Sequence, residues 1–476
     1  MRRFAFALLI AVSTLCPAQN NLSPAIKEFV KVDSPTVALT HVRVLDGTGA
    51  AAREDQTIVI SNGKISTIGP SASTSAPQGA QVVDGTGHTA IPGLVGMHDH
   101  LFYPMGGIVY GEMEFSFPRL YLASGVTTIR TTGSIEPYTD LELKKWIDSG
   151  KMIGPKMWVT GPYLEGKDAF IPQLHQIGSP QEAREMVDFW VAQGVTSFKA
   201  YNTLTREELG AAIQQAHKHN IKLTGHLCSV TFPEAIALGI DDLEHGIEVD
   251  TEFANDKKPD LCPDSAFSGQ ILAKVEVNDP RVQALIKDLV AHHVAITSTL
   301  PVFEDTVPGR PPLQARILDA MSPEARTNYL ATRVRITTPK PGAPPSQEGH
   351  NFKLEMDFEH AFAKAGGLLL AGEDPTGIGG TLAGFGDQRE VELLVEAGFT
   401  PSEAIHIATS NGAEYLGESE RIGTLAAGKQ ADIVLIKGDP SKNISDIENV
   451  ELVFKDGVGY DSPKLIDSVR GLVGIR

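Results

Sequence analysis

Six side chains able to bind a divalent metal close short apolar runs: His98 and His100 in IPGLVGMHDH, Lys199 in SFKAY, His226 in KLTGH, His245 in LEHG and Asp374 in LLLAGED. Four imidazoles, a carboxylate and a lysine suit a borderline ion such as zinc, which takes nitrogen and oxygen ligands. A side chain at the carboxyl end of a strand faces the mouth of a (β/α)8 barrel, where enzymes of that architecture keep their chemistry. One histidine at a strand end is usually just a satisfied polar residue; the ordered set is what points to metal. Asp99 lies between two of the candidates, and strand alternation turns it to the opposite face, so it is excluded as a ligand. For Lys199 the alternative is an ordinary ammonium paired with a carboxylate in a one-metal site.

Eight strands are expected to position these groups: GLVGMHDH, VTTIRTT, KMWVTGPY, SFKAY, KLTGH, DDLEHG, AITSTL and LLLAGED. Between them, stretches 180–193, 205–219 and 280–293 repeat apolar residues at helical spacing. Strands alternating with helices predict a parallel sheet, and eight of them give the (β/α)8 count. The longest insertions follow His245 and Leu300; the second runs through PGRPP and TTPKPGAPP, too proline-rich for a regular element, and is expected as a surface loop or a lid. Residues 36–91 read as strand and turn, with an Asn62-Gly63 hairpin signal, and β text returns in RIGTLAAGKQADIVLIKGDP and VELVFKDGVGY. Each β segment has an apolar face to bury, so the two are expected to pair. The fold class is therefore α/β, a (β/α)8 TIM barrel inserted in a small composite β-sandwich. Expected boundaries are a signal peptide at 1–18, a linker at 19–35, sandwich parts at 36–91 and 418–460, the barrel at 92–417 and a tail at 461–476.

Arg2 and Arg3 precede an apolar stretch from Phe4 to Leu15, and Cys16-Pro17-Ala18 ends in a small residue suited to cleavage. This is the pattern of a secretory signal peptide, and its apolar core is short for a membrane span. The expectation is an exported protein, periplasmic or extracellular, with no membrane contact after cleavage. The mature chain then keeps Cys228 and Cys262, enough for at most one disulfide and for no cysteine scaffold. A net charge of -18 over 476 residues excludes the basic clusters that a phosphate backbone needs, so no nucleic-acid partner is expected.

Together IPGLVGMHDHL, GVTTIR, SFKAY, KLTGHL, LEHG, GED, TPSEAIHIATSNGAEYLG and RIGTLAAGKQADIVLI resemble the amidohydrolase superfamily, closest to its imidazolonepropionase-like and prolidase-type members. The resemblance spans nearly the whole mature chain. It implies a two-metal hydrolase in which His98, His100 and Asp374 hold the buried ion and His226 and His245 the second. Lys199 resembles the family's bridging lysine, carboxylated by carbon dioxide; a carbamate is an anion with two oxygens, whereas an ammonium would be repelled by two cations. A hydroxide shared by the ions would attack a carbonyl, with Asp374 taking the proton and returning it to the leaving nitrogen. Two departures stand out. Glu373 replaces the usual Thr or Ser before the aspartate, and Thr131-Thr132 follow Arg130 where relatives commonly have aspartate.

The resulting expectation is an exported binuclear metal-dependent amidohydrolase cleaving a carbon–nitrogen bond of a small molecule such as a dipeptide, an N-acyl amino acid or a cyclic amide. The cofactors expected are two divalent ions, zinc by default, and a carbon dioxide-derived carbamate on Lys199. Tyr201, His175, Tyr163 and Arg130 are the candidate substrate contacts, by their place near the catalytic face. The alternatives are a lactone or phosphoester hydrolase on the same site, or a non-catalytic binding or assembly relative. Assembly as a homo-oligomer is open.

Overall fold

Eight parallel strands carry the candidate residues in a computed structural model that describes residues 22–106, 108–338 and 346–475. The expected signal peptide, the start of the expected linker and residues 339–345 of the proline-rich insertion lie outside these. The strands are β1 (Leu94–Asp99), β2 (Val126–Thr131), β3 (Lys156–Trp158), β4 (Ser197–Ala200), β5 (Lys222–Gly225), β6 (Asp242–Glu244), β7 (Ala295–Ser298) and β8 (Leu369–Ala371). All eight expected runs are strands. They form a three-stranded sheet in the order β3-β2-β1 and a five-stranded sheet in the order β4 to β8.

Hydrogen bonds cross from one sheet to the other at both edges. Past β3, Gly161 N–H donates to Ser197 O at 3.0 Å and Thr196 N–H to Val159 O at 2.8 Å. At the other edge, Asp374 N–H donates to His98 O at 2.9 Å. Gly372 makes that approach possible: a Cβ there would collide with the backbone and Cβ of His98.

Amphipathic helices pack around these strands. Pro180–Gln193 is capped by Ser179, Arg206–Lys218 by a Thr205/Glu208 capping box, and Pro280–Ala291 by Asp279. Their apolar faces join the largest core cluster, with Val187, Leu209, Ile213, Leu285 and Leu289 buried.

The two β segments at the ends of the chain meet in one nine-stranded sheet. Ile433–Lys437 pairs antiparallel with His88–Pro92, which lies beside Thr36–Val44. The Asn62-Gly63 turn joins Arg53–Ser61 to Lys64–Pro70, both turn residues having positive φ. Val30–Val32, inside the expected linker, is also a strand and pairs with Val458–Asp461.

The insertion after Leu300 corrects the expectation that it holds no regular element. Helices occupy Leu300–Glu304, Ala315–Ala320, Pro323–Thr337 and Glu348–Lys364. Pro323 stands in the first turn behind the Ser322 cap, where its missing N–H has no partner to lose. Among the described residues no helix is long and apolar enough to cross a membrane.

Candidate metal centre

His98 and His100 lie at the end of β1, and Lys199 lies on β4. His226 and His245 sit one residue past β5 and β6, and Asp374 three past β8. The six converge. The Asp374 carboxylate is 3.6 Å from His98 Nε2, 3.5 Å from His100 Nε2 and 3.9 Å from His245 Nε2. Lys199 Nζ is 3.0 Å from His98 Nε2, and the His226 ring stands 4.5 Å from that of His245. Asp374 and His245 reach this point with φ of 50° and 70°, left-handed conformations that cost non-glycine residues about 1–3 kcal/mol each and cluster at functional sites.

The outer nitrogens of three imidazoles are held by acceptors. His98 Nδ1 lies 2.8 Å from Glu244 Oε2, His100 Nδ1 3.2 Å from Gly133 O and His245 Nδ1 2.6 Å from Thr299 Oγ1. A carboxylate or carbonyl there places the proton on Nδ1 and aims the Nε2 lone pair into the site, as metal-binding histidines require. Glu244 is fixed in turn by Arg130, whose Nη2 donates to its Oε1 at 2.9 Å and to Asp242 at 3.1 Å.

Burial keeps the imidazoles neutral. It is the largest cause of lowering at His98, His100 and His245, and it brings His226 down to about 3, with Lys199 adding to the effect at His226. Burial also lowers Lys199 to about 8, against the pull of Glu244 and Asp374, and raises Asp374 to about 6. A divalent ion fits this set. His245 Nε2 is buried with no hydrogen-bond partner among the described residues, and one ligand atom each from His98, His245 and Asp374 lies within 4.8 Å of the others. Neutral imidazole and carboxylate are the donors that such ions take.

Comparison with known proteins agrees with this arrangement. Residues 371–458, which include Asp374 and the closing strands, match the Amidohydrolase family. A candidate prolidase from Bifidobacterium longum has the same fold over 91% of this chain and 98% of its own, with 25% identity and a TM-score of 0.66. Over residues 371–458 the chain resembles the amidohydrolase family, and over most of its length it has the fold of that candidate prolidase. A Xaa-Pro dipeptidase with methionine in its active site shares the fold at 19% identity, with a TM-score of 0.67 over 90% of this chain and all of its own. A dihydroorotase from Trichlorobacter lovleyi is 36% identical over 83 residues, 17% of this chain and about a fifth of the relative's length, 19%.

Above the converging side chains opens a cavity of about 160 Å³. Lys199, His226, His245 and Asp374 form its floor, and Phe102, Tyr110, Tyr163, Tyr201 and Phe303 line its walls. Tyr163 Oη is 3.4 Å from His100 Nε2, and the Tyr163 and Tyr201 rings are 4.9 Å apart. Among its described lining residues Lys199 is the only lysine or arginine.

Two of the four expected substrate contacts are therefore in the wall and two are not. Arg130, 1% exposed, is buried beneath the ligand layer, because its guanidinium is drawn inward to Asp242, Glu244 and Met97 O. His175 points outward, half exposed beside Glu182 at 3.4 Å, and borders a neighbouring cavity. Sequence reasoning also missed Glu244 and Thr299. The acid directly before the histidine in LEHG was the available signal for Glu244; a threonine just past the neighbouring strand β7 gave none for Thr299.

Proposed function

We propose that this chain is a metal-dependent hydrolase of a carbon–nitrogen, amide-type bond in a small molecule, with two divalent ions, zinc by default. His98, His100 and Asp374 would hold one ion and His226 and His245 the other, with Lys199 joining them as a carbamate. The observation that carries the reading is the convergence of three imidazole Nε2 atoms on the Asp374 carboxylate, with Lys199 Nζ 3.0 Å from His98 Nε2, at the floor of a cavity. Ions held there supply a water acidic enough to attack a carbonyl and polarise that carbonyl. Asp374, whose carboxylate lies within 4 Å of the Nε2 atoms of His98, His100 and His245, is placed to take the proton and return it to the leaving nitrogen.

The aromatic wall favours a substrate that offers an apolar group to the cavity, and Tyr163 and Tyr201 supply hydroxyls able to orient the scissile amide. The names of the structural neighbours, prolidase and Xaa-Pro dipeptidase, support a dipeptide or N-acyl amino acid among the amides to be tested. The hydrogen bonds at both sheet edges support a (β/α)8 barrel over 92–417, and the nine-stranded sheet supports a composite domain formed from 36–91 and 418–460. Export to the periplasm or cell exterior is supported by the N-terminal Arg2-Arg3 and apolar run, and by the Cys228–Cys262 disulfide, a bond that persists in oxidising compartments.

The test is metal analysis of the purified mature protein, followed by a hydrolysis screen of the zinc-loaded form against dipeptides, N-acyl amino acids, cyclic amides, lactones and phosphotriesters. Two bound ions and preferred cleavage of an amide are expected. Absence of metal under metal-replete expression, or a preference for lactone or phosphoester, would overturn the reading.

A further inference from the structure

Behind the ligand face of β1 and β8 lies a second group of acids that hydrolysis does not use. Asp99 alternates away from His98 and His100, and Glu373 away from Asp374, so both meet Asp387 in the first turn of the helix Phe385–Glu396. All three are buried, Asp99 and Glu373 completely, and one oxygen from each lies within 4.8 Å of the others. Two glycines leave the space: a Cβ on Gly96 would collide with the Asp99 carboxylate, and one on Gly386 with that of Glu373.

Hydrogen bonding accounts for part of this group only. Glu373 Oε2 accepts the Asp387 N–H at 3.0 Å. Asp99 Oδ1 and Oδ2, Glu373 Oε1 and Asp387 Oδ2 have no hydrogen-bond partner among the described residues. Asp99 is thus a wholly buried carboxylate with both oxygens unpartnered and turned toward two further carboxylates. A buried carboxyl of this kind stays charged only where it is paired or binds a cation, and otherwise takes up a proton. Arg130 acts on Asp99 through space but makes no hydrogen bond to it, its Nη2 being given to Asp242 and Glu244.

We propose that Asp99, Glu373 and Asp387 bind one hard divalent cation of the magnesium, calcium and manganese class, at a site separate from the hydrolytic centre. The donors are all carboxylate oxygens with no imidazole or thiolate, the set these ions prefer over zinc. Bound there, the cation ties the tips of β1 and β8 to the N-terminus of the helix Phe385–Glu396. Asp99 is flanked by His98 and His100, and Glu373 is followed by Asp374, so the cation braces three of the candidate ligands from behind.

The deciding experiment uses the wild-type chain loaded with zinc and then equilibrated with millimolar manganese. Anomalous diffraction at the manganese edge should give a peak among the three carboxylates, distinct from any zinc at the histidines. Asp387→Asn and Glu373→Gln should each lose one equivalent of non-zinc metal per chain by mass spectrometry. They should also lose the rise in thermal midpoint that manganese or calcium produces in the parent. No peak among the carboxylates, or unchanged metal content in both variants, overturns the proposal; if the variants do not fold, the wild-type diffraction decides it. A manganese peak here in a protein whose histidines bind no metal would refute the hydrolase and leave this site standing.

Discussion

Replacing Glu244 with Gln tests whether the imidazole set is built for metal or is only a polar cluster. Glu244 accepts two donors at once, His98 Nδ1–H at 2.8 Å and Arg130 Nη2–H at 2.9 Å, one on each carboxylate oxygen. A glutamine amide has one acceptor oxygen for the two. Either Arg130 faces an amide NH2 group, or His98 does and must move its proton to Nε2, where it blocks the lone pair. The loss is one hydrogen bond to a charged group, about 1.5–3 kcal/mol. At about 1.4 kcal/mol per decade that is roughly a 10- to 150-fold weaker hold on the ion, which overlaps the 10- to 100-fold typical of outer partners of metal ligands. Zinc affinity measured by competition with a chromophoric chelator should fall by that factor in Glu244→Gln. Thr299→Val is the internal comparison, since it removes a neutral partner from His245 Nδ1 and should cost only a few-fold. Affinity unchanged within twofold in Glu244→Gln, or a larger loss in Thr299→Val, would refute the reasoning.

Further outcomes follow from the same contacts. Lys199→Ala should remove the second ion and most hydrolysis, read by metal analysis and turnover; two ions retained would exclude a bridging role. Arg130→Met leaves Asp242 and Glu244 buried without their counterion and should destabilise the fold by about 3–5 kcal/mol in urea unfolding, against little change if those acids are already neutral. Burial raises Asp305 to about 7, so the folded state holds a proton that the unfolded chain releases near its usual value of 3.8. Its contribution therefore becomes more unfavourable as pH rises from about 4 to 7, by about 4 kcal/mol in all. Asp305→Asn should flatten the fall in urea midpoint between pH 5 and pH 8, and parallel midpoints in parent and variant would count against it. Cys228→Ser opens a cross-link between residues 34 apart and should cost about 4 kcal/mol on the chain-entropy scale, visible as a lower denaturation midpoint under oxidising conditions and none under reducing ones.

The strands and the convergence of the candidate ligands were legible because two signals coincide at each of them. An apolar run long enough for a buried strand ends on a residue that would be costly to bury without a purpose, and alternation then fixes the face. Asp99 and Glu373 obey the same alternation and do turn away from the ligands; that they meet each other and Asp387 depends on how β1, β8 and a later helix pack, which no local pattern carries. Arg130 was misplaced for a related reason. A strand-end arginine reads as facing the barrel mouth, but its side chain is buried against Asp242 and Glu244 of β6, and only the tertiary arrangement brings those acids within 3.1 Å.

Loops and helical insertions followed other rules. The cavity wall takes Phe102 and Tyr110 from the hairpin Phe102–Pro104 and Tyr110–Glu112, whose three-residue strands are too short to show a period. Prolines in 301–349 read as breakers, yet the described ones, Pro301, Pro308, Pro311, Pro312 and Pro323, lie at helix starts or between helices, and the segment 323–337 keeps its helix. The positive φ of His245 and Asp374 was equally hidden, since neither is a residue type that announces a left-handed turn as glycine does. Those two conformations bring His245 Nε2 and the Asp374 carboxylate within 3.9 Å of each other, and a substitution that relaxed either backbone would separate them without removing either side chain. The chemistry of the site is therefore written in residue types, and its precision in backbone geometry that the surrounding packing enforces.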